Sequence, residues 1–196
     1  MVNNQPNKQI NNRNAIFVFR VFFCYSIIAM TQTKVPIRYV PKSLSTTDKR
    51  TQIAMLKRSR KLYKKGAFYT RKRLSSYKNK TSEHVKNARR IYNVDKIIPN
   101  KELSNATGCS VAALKQIISK GEGAYFSSGS RPNQTAQSWG VARLASSITG
   151  GKAAAVDYSI LEKGCNHRKP AFILANAARK KYGYGQSKTK KITLKM

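Results

Sequence analysis

From Lys57 to Arg90 the chain carries fourteen lysines and arginines and a single acid, Glu83. That run constrains the fold more than any other feature, because so many like charges cannot share an interior and repel one another when packed closely. The segment therefore has to lie on a surface. The whole chain shares the bias: 39 Lys+Arg stand against 7 Asp+Glu, a net charge of +32 in 196 residues. This exceeds what solubility asks of a small domain and implies an anionic partner that neutralises it. Hydrophobic residues still make up 40%, enough for a packed core, so a fully disordered chain is not expected.

The pattern predicts a mainly α protein in three parts: an extended N-terminal arm over 1–34, a basic helical domain over 35–185, and a basic tail over 186–196. Within the arm, Ala15–Met30 is apolar apart from Arg20. As a helix it would span about 24 Å, short of the ~30 Å hydrocarbon core, and Arg20 adds a further penalty against insertion. It also lacks the small-x-small cleavage site of a signal peptide. The expectation is an arm that touches a membrane or an apolar surface.

Val35–Pro41 contains two prolines and reads as an extended edge. A helix should start near Ser45–Asp48, place Ile53, Leu56 and Tyr63 on one face, and stop at Gly66. A second should run from Thr81 or Ser82 through Val85, Ala88 and Tyr92. Residues 101–118 resemble a helix-turn-helix around Gly108, with Leu103, Leu114 and Ile117 as its seam, Ser110 as a cap and Gly121 as its end. Thr107 stands where an apolar residue is usual, and the second helix offers few base-reading side chains beyond Lys115 and Gln116. A plain helical hairpin is the better expectation. After a turn at Ser127–Gln134, Trp139, Val141, Leu144 and Ile148 recur at helical spacing until Gly150–Gly151. One more helix is expected over Ala153–Glu162, ended by Gly164.

The candidate binding surface consists of Lys57, Arg58, Arg60, Lys61, Lys64, Lys65, Arg71, Lys72, Arg73, Arg89 and Arg90. Tyr63, Phe68, Tyr69 and Tyr77 are interleaved with them. Such a mixture suits phosphate contact and stacking. Arg131 and Trp139, set among serines and threonines, are candidate anchors for a protein contact. The alternative is a loop tied by its own turn bonds.

Catalysis is not expected. Gly151–Lys152 lacks the preceding glycine and following hydroxyl of a phosphate loop, since Ser146 and Ala153 occupy those places. Cys165 and His167 are too few for a zinc site, and no cofactor is implied. Three cysteines (Cys24, Cys109, Cys165) without regular spacing do not read as a disulfide framework, and Cys165 reads as an unremarkable thiol. Asn79, Asn105 and Asn133 begin sequons that matter only in a secreted protein.

The stretch GAYFSSGSRPNQTAQSWGVARLASSITGGKAAAVDY, with VPKSLSTTDKR at Val40–Arg50, resembles a family of small basic virion proteins. These belong to large icosahedral double-stranded DNA viruses of algae and protists. The resemblance spans roughly 35–185 and brings no catalytic residues. It implies a structural virion component, a minor capsid protein on the inner face that stabilises capsomer contacts. The implied partners are the major capsid protein, other minor capsid proteins and the inner viral membrane. The implied location is the virion, and the host cytoplasm during assembly. The alternative is a DNA-binding, genome-packaging protein without sequence preference, for which a single continuous basic face is expected.

Overall fold

The structure is a computed structural model in which residues 34–185 and 190–194 are described. The apolar stretch Ala15–Met30 lies outside the described residues. The fold is mainly α. Strand β1 (Lys34–Pro36) and a 3-10 turn (Ile37–Tyr39) precede α1 (Thr46–Tyr63), α2 (Glu83–Tyr92), α3 (Lys101–Thr107) and α4 (Val111–Ser127). Helices α5 (Ala136–Ile148), α6 (Lys152–Val156), α7 (Tyr158–Gly164) and α8 (Pro170–Tyr182) follow, then β2 (Lys191–Thr193).

Helix α5 forms the centre, touching α2, α4, α6 and α8. Its last five residues, Leu144–Ile148, are all buried. The small residues there let neighbours approach from several sides, as expected of a helix packed all round. Helix α4 crosses it at close range. A Cβ on Gly121 would lie 2.7 Å from the Gly140 Cα, and one on Gly140 would lie 2.9 Å from the Ile118 carbonyl oxygen. This corrects the expectation that Gly121 ends the helix. Gly121 is buried within α4, and the missing side chain serves the crossing. Leu103, Leu114 and Ile117 are fully buried, as the spacing predicts. Thr107 is buried as well, its hydroxyl donating to the Leu103 carbonyl at 2.6 Å.

The helix expected over Ala153–Glu162 is two helices, α6 and α7, broken at Asp157. The break has an electrostatic reason. The Asp157 carboxylate is fully buried and accepts from Arg143 Nε (2.8 Å) and Nη2 (2.7 Å) and from the Ser147 hydroxyl (2.9 Å). Lys120 Nζ of α4 lies 3.0 Å away. A carboxylate removed from water requires this density of partners. Val156, next to the break, is 42% exposed.

Cys109 and Cys165 form a disulfide, which corrects the reading of unpaired thiols. Ser110 N–H donates to the Gly164 carbonyl and Asn166 N–H to the Gly108 carbonyl, so the two cysteines face each other as the non-hydrogen-bonded pair of an antiparallel bridge. That register brings side chains closest together. The bridge ties the α3–α4 turn to the α7–α8 junction, and α4 also packs on α1, α5 and α7. The helix-turn-helix sequence is thus a corner tied covalently to the α7–α8 junction, with Lys115 and Gln116 exposed.

A second buried cluster lies under α1: Val35, Tyr39, Val40, Leu44, Met55, Leu56, Leu74 and Leu194. The last of these comes from the segment expected as a tail. Instead of extending away, residues 191–193 pair antiparallel with β1, Val35 opposite Ile192. Among the described residues no helix is long and apolar enough to cross a membrane.

Candidate polyanion-binding surface

Helix α1 starts at Ser45, whose hydroxyl accepts from Asp48 N–H at 3.1 Å. It buries Gln52, Met55, Leu56 and Ser59. At 100° per residue the opposite stripe holds Arg50, Lys57 and Lys61, flanked by Arg58. After α1 the chain reverses at Gly66, whose φ of +77° suits glycine. Lys65, Gly66 and Ala67 N–H groups donate to the carbonyls of Leu62, Tyr63 and Leu62.

Residues 67–82 have no regular secondary structure, yet they run back along α1 as a strap. Phe68 meets Tyr63, Arg58 sits 4.6 Å over the Tyr69 ring, and Lys72 N–H donates to Met55 Sδ. Ser76 then donates through N–H and hydroxyl to Asp48. These donors hold the Asp48 carboxyl below its usual range, the hydroxyl contributing most and the backbone N–H next.

Arg71 secures the middle of the strap. Its Nη1 donates to Ser59 Oγ and the Tyr125 carbonyl, both at 3.1 Å, and Nη2 donates to Ser130 Oγ at 2.7 Å. The guanidinium lies 3.7 Å over the Tyr125 ring, whose hydroxyl accepts from Arg71 N–H. Arg71 is therefore buried, and burial lowers its pKa. This corrects its assignment to the binding surface. Arg60 departs in the same way: half-buried, it donates from Nη2 to the Ser128 carbonyl at 2.7 Å while Nε is enclosed without a partner. Burial pulls its pKa down too.

The polar turn after α4 supplies the remaining ties. Asn133 Oδ1 accepts from Leu74 N–H, and its Nδ2 donates to the Leu74 and Tyr77 carbonyls. Gln52 Nε2 donates to the Tyr39 carbonyl. The serine- and asparagine-rich turn thus binds the strap. Trp139 is half-buried with its ring edge-on to Tyr39 at 5.9 Å, so it belongs to the second cluster and is not an exposed anchor. Arg131 is exposed, and its charge adds to burial in holding the His84 pKa down.

What remains outward is a basic ridge. Arg58 and Lys61 of α1, Lys64 and Lys65 of the turn after it, and Lys72 and Arg73 of the strap are exposed, and Lys57 is half-buried. No carboxylate occurs in sequence between Asp48 and Glu83. Arg89 and Arg90 are exposed on α2 and line an open groove of about 470 Å³ with Lys86, Asn93, Val94 and Asp95. Sequence reasoning missed Gln52, Ser59 and Asp157, none of which belongs to a recognisable motif. Cys165 is engaged in the disulfide, so its sulfur is neither a free thiol nor available to join His167 at a metal.

No curated protein and no solved structure matches the chain. A family model described as "Family of unknown function (DUF5824)" matches residues 36–164, about two thirds of the chain. The match runs from the end of β1 to the end of α7 and takes in α1, the strap and the turn that pins it. The chain therefore belongs to the DUF5824 family.

Proposed function

We propose that the protein is a non-enzymatic binding component that engages an extended acidic partner through the α1–strap ridge. One observation carries this reading: the fold turns Arg60 and Arg71 inward as ties, yet leaves Arg58, Lys61, Lys64, Lys65, Lys72 and Arg73 exposed in a stretch that contains no carboxylate. Long cations without internal counter-ions lower the free energy of the system only when an external anion meets them. The virion resemblance supplies the setting. There the protein is a minor capsid protein on the inner face of a large icosahedral shell, where acidic capsomer surfaces or lipid headgroups neutralise the ridge. The second reading, DNA binding during packaging, is favoured by the continuity of α1 with the strap that runs alongside it.

Binding to heparin or duplex DNA should weaken steeply with salt, because each neutralised phosphate releases counterions. Replacing Lys57, Lys61 and Lys65 by Gln should reduce the slope of log affinity against log salt by roughly 2–3 on duplex DNA. An unchanged slope would remove the ridge from the contact. Opening virions, digesting the DNA and washing at high salt separates the two settings. Retention on shells supports the capsid reading, and release with the DNA supports packaging.

A further inference from the structure

Phe68 is 71% exposed at the point where the ridge turns from α1 into the strap. It is not loosely held. The Gly66 reversal and the Ala67–Leu62 hydrogen bond set its backbone, and its ring leans on Phe126 with centroids 4.9 Å apart. Phe126 is in turn stacked on Tyr63, the planes 8° from parallel and the centroids 6.3 Å apart. Lys61 on the last turn of α1 and Lys64 and Lys65 in the turn that follows it stand beside Tyr63 and Phe68 in sequence, and all three are exposed.

From this arrangement we infer that Phe68 is a base-stacking platform, and that the ridge takes single-stranded nucleic acid in preference to duplex. The inference rests on the reading of the ridge as a polyanion-binding surface, follows its nucleic-acid alternative rather than the capsid setting, and names the strand form that is bound. A braced aromatic ring beside a row of cations offers a base face and a phosphate track together, which is how single strands are held without sequence preference. In a duplex the base faces are already stacked, so the ring has nothing to meet. A protein anchor is a poorer fit, because such residues work at the dry centre of an interface. Here the surrounding ammonium groups would resist desolvation.

The test uses the full-length protein, fluorescence anisotropy and three probes at one salt concentration: an oligo-dT strand, a duplex of equal length, and heparin. The wild type should bind the single strand more tightly than the duplex. Phe68→Ala should weaken single-strand binding about tenfold and leave duplex and heparin binding unchanged, while Phe68→Trp should restore it. A ring this exposed can be replaced without opening the core, and circular dichroism would verify this. Equal affinity of wild type and Phe68→Ala for the single strand, or a parallel loss on all three probes, would overturn the inference while leaving the ridge as a polyanion surface. Failure of the wild type to bind any of the three probes would overturn the ridge reading itself.

Discussion

The helical core around α5 and the α1–strap layer are ordered by different forces. In the core, apolar side chains from α2 through α8 form one buried cluster, and glycines bring α4 and α5 into close contact. The one fully buried carboxylate among the described residues, Asp157, is enclosed by Arg143 and Lys120. In the strap layer the apolar cluster is smaller, and irregular backbone is fixed by Arg71, Asn133, Gln52 and Asp48. The difference shows how a strongly basic segment can be ordered without a periodic pattern. A few inward polar groups satisfy the backbone, and the remaining side chains stay free for solvent or a partner.

Three measurements would sharpen or break this contrast. The largest effect belongs to the core. Asp157→Ala should cost about 3–5 kcal/mol, because it strands Arg143 and Lys120 at a site built around a carboxylate. Urea unfolding should show the loss in one global transition. Arg71→Ala should cost about 2–3 kcal/mol by leaving the Ser59, Ser130 and Tyr125 acceptors unpaired. Its signature should be local, with trypsin cutting the strap at Lys72, Arg73 or Lys78 before the core opens. If the strap and core instead release together, the two layers are one cooperative unit and the contrast fails.

The smallest effect concerns acid. Asp48 has its folded-state pKa held below its ordinary value of 3.8 by Ser76. Its contribution is therefore complete above that value and is lost as pH falls through the lower folded-state value. Carboxylate titration by NMR should find Asp48 below 3.8, with the Ser76 amide shifting in step. A normal midpoint would mean that the end of the strap is not tied there.

Much of the helical order was legible in the sequence. Ser45, Ser110 and Gly108 occupy the cap and turn positions that their chemistry predicts, and Leu103, Leu114 and Ile117 form the seam that the spacing gives. The readings that failed have physical reasons. Gly121 looks like a stop locally, and only the approach of α5 makes it an internal contact. Asp157 interrupts a sound helical pattern because its partners come from α4 and α5, residues distant in sequence. Arg71 stands between Thr70 and Lys72 in a row of cations, and nothing local separates an inward guanidinium from an outward one. Its selection depends on Tyr125 and Ser130, more than fifty residues away. Cys109 and Cys165, separated by 56 residues, pair only because the α3–α4 turn and the α7–α8 junction meet.

That disulfide also sets how the molecule would carry load. It closes helices α4 to α7 into a covalent ring, with the ridge-bearing segment leaving from one sulfur and α8 from the other. Tension applied between those two exits passes through the sulfur–sulfur bond and bypasses the four helices. Pulling apart the partners held at either end would therefore not draw out the backbone of α4–α7 until that bond is reduced.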